Sequence, residues 1–322
     1  MTPYPHLHTI AQAAQAAGLS AADPVRQPLE QARQQAWAYQ MLWNTPLPPI
    51  GGTAEAETLS PRGTPIRLRI HYPDQRREGL PALVYFHGGG FVLNGIDTHE
   101  RLMRLLAVRA GVAVVGVGYT LAPELRFPGQ RDEALAAIAW VRRQGRTFGL
   151  NGERLAVAGD SAGANLALTA QLALRDRGEA SPLHGLLFYG MFTADLDTPS
   201  HRAYGGGQFG LTTERMDWFW SQYLADRAQR DNPDAAPLLA DLEGLAPQLV
   251  IGAGLDCLLD DSVRLAARLR KAGVDTELAV VEGVPHSFMQ MSAVLPPADL
   301  ALSHAAGVLR RALSRPRNRK AA

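Results

Sequence analysis

Seven short apolar runs separated by stretches of helical periodicity constrain the fold of this chain more than any other feature of its 322 residues. The runs lie at 66–72, 82–86, 112–119, 154–158, 185–189, 248–253 and 276–281, and the helical stretches at 98–109, 131–144, 162–177 and 261–272. Strands that alternate with helices in this way predict an α/β fold, a mostly parallel central sheet with helices on both faces. Gly273, just after Arg270-Lys271-Ala272, supplies a helix stop. No internal repeat interrupts the rhythm. Two segments stand outside it, residues 1–52 and 191–232. The first carries an Ala/Gln-rich stretch, then Trp37, Tyr39, Met41 and Trp43, and ends in a linker from Pro46 to Gly52. The second sets Met216, Trp218, Phe219, Trp220 and Tyr223 on a predicted helix.

Within this frame, Gly159-Asp160-Ser161-Ala162-Gly163 marks one serine as a candidate nucleophile. A serine hydroxyl attacks poorly unless it is held exposed and within reach of a base. The pattern G-x-S-x-G does this at a sharp strand-to-helix turn, where the small flanking residues let the two elements pack closely. The pattern alone is a weak signal, and its setting decides. Arg154-Leu155-Ala156-Val157-Ala158 reads as a short buried strand, and Ala162 to Leu168 as a helix start.

A second motif follows the apolar run Ala82 to Phe86. His87-Gly88-Gly89-Gly90 places three glycines in succession, costly in backbone entropy unless something requires them. One reading is an oxyanion hole, in which bare backbone N–H groups approach a developing negative oxygen. The others are a packing loop or a phosphate cradle. No G-x-x-x-x-G-K-[ST] or G-x-G-x-x-G follows a strand here, so the cradle has little support.

Serine sites of this strand–turn–helix type take their acid and then their histidine downstream. Four histidines follow Ser161. His184 opens a strand and is expected at its solvated end. His201 lies in a polar connection, and His304 in a helix near the C-terminus. His286 stands in the loop Gly283-Val284-Pro285-His286-Ser287-Phe288, directly after a strand, where this architecture collects its chemistry. It is the preferred base. Asp256 closes the run 248–254 and is the preferred acid, with Asp260 as the fallback; Asp260 and Asp261 also suit a helix N-terminus.

Taken together, these residues carry a resemblance. HGGG, GDSAG, Tyr119-Thr120-Leu121-Ala122-Pro123-Glu124 with Phe127-Pro128, and Asp256-Cys257-Leu258-Leu259-Asp260-Asp261 resemble the hormone-sensitive-lipase family of α/β-hydrolases. The stretch Gly90 to Arg101, the run Met103 to Ala107, and Gly205-Gly206-Gly207 are similar to its bacterial acetyl esterase branch. The likeness spans roughly residues 80 to 290. It implies an α/β-hydrolase fold with Ser161 as nucleophile, His286 as general base and Asp256 as its orienting acid. It further implies an oxyanion hole from the N–H groups of Gly89, Gly90 and Ala162, a loop shaped by Gly88, and a structural His87. Segments 1–52 and 191–232 would form a helical cap on one integrated core, 53–190 with 233–322. Of the cap aromatics, Phe209 and Trp218 are the ones expected to meet substrate. Three positions depart from the family: Gly118 where an Asp is usual, Ser287 for a common Gly, and Cys257 for a common Pro. They bear on fine geometry and substrate preference.

The expected reaction is hydrolysis of small-molecule esters with no metal and no cofactor, and the resemblance implies that their acyl chains are short. Thioesterase and peptidase activities share this triad and stay open, as does a ligand-binding or regulatory role on the same fold. The apolar fraction of 46% and charged fraction of 20% are those of an ordinary globular protein. A net charge of +1 gives no case for nucleic acid or an anionic membrane. The single cysteine, Cys257, allows no intrachain disulfide and is read as a buried bystander. With no run of about 18 apolar residues and no signal-like start, a cytoplasmic protein without a membrane span is expected, as monomer or homodimer. The basic tail, Arg310-Arg311 and then Arg315 to Lys320, reads as a solvated end.

Overall fold

A computed structural model describes residues 3–5 and 7–314; the tail beyond Ser314 lies outside them. The strands are β1 (Gly52–Leu59), β2 (Pro65–Tyr72), β3 (Leu80–Phe86), β4 (Ala113–Gly118), β5 (Leu150–Asp160), β6 (Gly185–Phe188), β7 (Gln248–Leu255) and β8 (Thr276–Pro285). The α-helices among the described residues are α1 (Leu7–Ala16), α2 (Leu29–Asn44), α3 (Glu100–Ala110), α4 (Gly129–Gln144), α5 (Ala162–Asp176), α6 (Pro199–Tyr204), α7 (Thr213–Tyr223), α8 (Leu259–Lys271) and α9 (Pro296–Ser314). One eight-stranded sheet runs in the order β1-β2-β4-β3-β5-β6-β7-β8. β2 is antiparallel to both of its neighbours, and every other pairing is parallel.

The apolar runs form strands because both faces of the sheet are covered, so residues of either parity meet a dry surface. On β3, Ala82, Val84 and Phe86 pack into one core with α4, α5 and α8, including Ile138, Leu168 and Leu265. The alternate residues Leu83 and Tyr85 pack into a second core with α3 and α9, including Leu106 and Leu302. Burying a Leu or Ile side chain is worth about 1.5–3 kcal/mol, so this two-sided pattern drives the assembly. β1 was not anticipated. Its Gly-Thr-Ala-Glu-Ala-Glu-Thr-Leu alternates small residues with acids and lacks the large apolar face of the others; it is an edge strand, half-buried on one side only. β5 also begins earlier than expected, at Leu150, where it adds to β3 across a register shift.

Two histidine placements differ from expectation. His184 is buried rather than solvated, with its Nδ1 against the Pro247 carbonyl. His201 sits buried on α6 with Nδ1 2.9 Å from Thr213 Oγ1, because the polar connection folds back as a short helix. His304 Nε2 lies 2.7 Å from Glu277 Oε1 on the surface.

Parallel order decides where the chemistry collects. β3, β5, β7 and β8 all end on one edge of the sheet, and His87, Ser161, Asp256 and His286 directly follow those ends. Open α/β sheets hold their ligands outside such carboxyl ends.

Candidate active site

Ser161 occupies a turn with φ 54° and ψ −119°, a conformation L residues rarely adopt and one that persists only when its surroundings enforce it. The surroundings are the two glycines. A Cβ on Gly163 would lie 1.9 Å from the Phe86 carbonyl oxygen, and one on Gly159 2.2 Å from the backbone of Gly163. Close approach of α5 to β3 and β5 therefore requires glycine at both positions. The Ser161 N–H donates to the Phe188 carbonyl at 2.9 Å, which ties the turn to β6.

The structure brings Ser161, His286 and Asp256 into one chain of hydrogen bonds. His286 Nε2 lies 3.0 Å from Ser161 Oγ, and His286 Nδ1 lies 2.6 Å from Asp256 Oδ2. A buried carboxylate beside Nδ1 favours the proton there, which leaves Nε2 to accept from the serine hydroxyl. Asp256 is 2% exposed, and its other oxygen accepts the Leu258 N–H at 3.0 Å. Asp260, the fallback acid, instead accepts the Ser200 N–H at 2.8 Å. Asp261 accepts from Phe192 and Thr193 N–H at 2.7 and 3.0 Å, and burial pushes its carboxyl up to about 8. Ser287, where the family favours glycine, takes φ 61°. Cys257 is buried, and loss of solvent drives its thiol far above the usual range.

The glycine loop is shaped by what crowds it. A Cβ on Gly89 would meet the Leu93 carbonyl oxygen at 2.1 Å, and one on Gly90 the Phe219 ring at 2.2 Å; both residues also take positive φ. Among the described residues, the N–H groups of Gly89, Gly90 and Ala162 find no acceptor within the protein. His87 is fully enclosed. Its ring stacks on Tyr119 at 4.2 Å, its Nδ1 lies 2.9 Å from the Gly88 carbonyl, and burial lowers it to about 3.

A buried polar network beneath this loop was missed in the sequence. Asp160 Oδ1 accepts the Gly88 N–H at 3.0 Å and the Tyr85 hydroxyl at 2.8 Å, while His99 Nε2 stands 3.3 Å from Oδ2. Burial opposes the charge of Asp160, but His99 and Tyr85 outweigh it, and its carboxyl is held below the usual value. Asp160 falls at a variable position of its pentapeptide, and no spacing links it to Tyr85 or His99. A tyrosine inside the run Ala82 to Phe86 was the one available hint. The Tyr119 hydroxyl adds a bond to the His87 carbonyl at 2.8 Å, so the loop is held from two sides.

Ser161 and His286 open into a cavity of about 380 Å³. Its floor is Gly88, Gly89, Gly90 and Asp160, and α1, α2, the loop 208–211 and α7 supply its walls. Phe209 lines it. Trp218 does not; its neighbour Phe219 does, and Trp218 packs edge-on against that ring at 5.3 Å.

A profile of the alpha/beta hydrolase fold matches residues 83–290. The ethyl acetate hydrolase of Pseudomonas putida is 40% identical over 74% of this chain and 76% of its own length. The acetyl esterase of Salmonella schwarzengrund is 33% identical over 90% and 89%. The chain belongs to the hormone-sensitive-lipase-like family of α/β-hydrolases. A family relative of known structure, the hyperthermophilic esterase of the archaeon Pyrobaculum calidifontis, superposes with a TM-score of 0.91 at 34% identity, covering 97% of this chain and 99% of that one. In this family member, among the described residues, no group of three His, Cys, Asp or Glu side chains is placed to hold a metal ion. No helix among them is long and apolar enough to cross a membrane.

Proposed function

We propose that this carboxylic ester hydrolase acts on short-chain acyl esters through an acyl-enzyme formed on Ser161. The observation that carries the reading is the Ser161–His286–Asp256 chain, 3.0 and 2.6 Å per link, opening into a cavity beside unpaired backbone donors. Ser161 Oγ attacks the ester carbonyl while His286 Nε2 takes its proton; Asp256 holds the ring's tautomer and stabilises the imidazolium. The carbonyl oxygen, now negative, is received by the N–H groups of Gly89, Gly90 and Ala162, which need no reorganisation because no internal acceptor occupies them. His286 returns the proton to the leaving alcohol. Water then attacks the acyl-serine with the same base, and the acid and the free serine result. Asp160 and Tyr119 hold the loop that presents the donors.

Segments 1–52 and 191–232 serve in this reading as a cap. Its support is that residues of both, Tyr39 and Phe209 among them, wall the cavity. About 380 Å³ is at the small end of ligand sites, which suits short acyl groups; the range from acetyl to roughly octanoyl is what the family resemblance implies. A lone cysteine suits a cytoplasmic setting. The test is hydrolysis of p-nitrophenyl esters from acetate to palmitate by the wild type and Ser161→Ala. Short-chain activity that disappears in the variant is expected. A folded wild-type protein inactive on every chain length would sink the reading.

A further inference from the structure

Among the described residues, the cavity is lined by one arginine, and no carboxylate pairs with it. Arg215, on the first turn of α7, lines it half-buried. A guanidinium has five N–H donors. Among the described residues Arg215 uses one of them, Nη1 to the Gly210 carbonyl at 3.2 Å, and no carboxylate comes within ion-pair distance. The two acids nearby are taken. Arg26 binds Glu214 at 2.8 Å and Asp23 at 3.0 Å. Burial pulls the guanidinium below its usual value, against a weaker, unbonded attraction from Asp23. Among the described residues the only acid lining the cavity is Asp160, and it is already engaged by Gly88, Tyr85 and His99. A second donor is unused as well: Gln290, 4% exposed, lines the same cavity, and its Nε2 has no acceptor. Between these polar groups the wall is apolar, formed by Leu93, Leu211, Met216 and Phe219.

We propose that Arg215 selects esters bearing a carboxylate on a short apolar stem, which its fork of donors would grip while the ester lies at Ser161. The planar guanidinium matches a carboxylate with two parallel hydrogen bonds, and a half-dry wall strengthens them. An uncharged short ester leaves those donors to water. The inference rests on the esterase reading and adds the substrate class.

The experiment compares matched pairs of esters. Monoethyl succinate, glutarate and adipate are set against ethyl butanoate, pentanoate and hexanoate, with ethanol release as the readout; here the anion is on the acyl side. Acetoxy acids against their amides, read by acetate release, place it on the alcohol side. The quantity is the ratio of kcat/KM, anionic over neutral, which cancels any general effect of a substitution. Arg215→Gln is expected to lower that ratio by about tenfold or more in at least one arm, equivalent to about 1.4 kcal/mol. Arg215→Lys, which keeps the charge without the fork, should retain an intermediate ratio and serves as the readout if the Gln variant does not fold. A ratio unchanged by either substitution in both arms, with neutral esters still hydrolysed, overturns the inference and leaves the esterase reading intact. A wild type that hydrolyses no ester overturns both.

Discussion

The floor of the cavity and its walls are built to different standards. At and beneath the floor, Tyr85, His99 and Asp160 are no more than 1% exposed, each bonded to another, and the glycines leave no room for a methyl group. On the wall formed by residues 208–211, Gln208 and Gly210 are exposed and Phe209 and Leu211 half-buried. That wall is fastened to the N-terminal segment by the open pair Arg26–Glu214, whose side chains are 63% and 54% exposed. A stiffer tie runs through α2, where Arg33 reaches Glu124 at 2.7 Å and the Val92 carbonyl at 3.0 Å. On the proposed mechanism, the contrast assigns rate to the floor and selectivity to the walls, because a reacting geometry must be held tightly whereas a substrate tail need only be accommodated.

The largest effects should come from the hydrogen-bonded chain itself. Ser161→Ala, His286→Ala and the double variant are each expected to lower kcat by about 10⁶, without adding, since the residues act as one unit. Additive losses in single-turnover measurements would break the view of the floor as one device. Gly90→Ala should lower kcat by about 10²-fold if its N–H is the proposed oxyanion donor, which the methyl group would displace. That methyl group would meet the Phe219 ring at 2.2 Å, so Phe219→Ala in the same chain should restore part of the loss. No recovery would mean that the positive φ alone sets the cost and that floor and wall are uncoupled. Asp160→Asn is expected to cost about tenfold in kcat with KM nearly unchanged, because its carboxylate is spent on Gly88, Tyr85 and His99 and the change loosens the loop.

Smaller effects test the joint between the two regions. Asp261 clamps the chain at Phe192 and Thr193, where it leaves β6 for the walls. Its carboxyl titrates near 8 in the folded protein and near the usual 3.8 when unfolded, so the folded state keeps a proton that the unfolded chain releases. The stability from this group is therefore full below about pH 4 and drains as pH rises through about 8. Asp261→Asn should flatten the decline of Tm across that window, as thermal melts at stepped pH would reveal; an unchanged slope would assign it to other groups. Least of all, Arg26→Ala should leave Tm within about 1 °C, since exposed pairs contribute little. A drop of several degrees would show the wall to be more firmly built than its exposure implies.

Much of this protein was legible in its residues. Apolar runs such as Ala82 to Phe86 can satisfy their backbone only as buried strands, and GDSAG and HGGG carry their requirements locally: glycine where backbones touch, serine at the turn. For that reason the α/β sheet, and the candidates Ser161, His286 and Asp256, could be named from the order of motifs. β1 escaped because an Ala/Glu alternation on an edge has almost no hydrophobic signal. The Asp160–Tyr85–His99 network and the lone charge of Arg215 escaped for a different reason. Whether a polar side chain is partnered depends on residues 61 to 188 positions away, and no local periodicity encodes them. Phe219 rather than Trp218 faces the cavity because packing of α7 on the core, not composition, fixes the helix's rotation. The sequence by itself determined which elements form and which chemistry they carry, since those follow from short-range sterics and burial. The tertiary structure alone decided which polar groups are satisfied and which are left to meet a substrate, because that balance is struck only when distant strands and helices close around the same cavity.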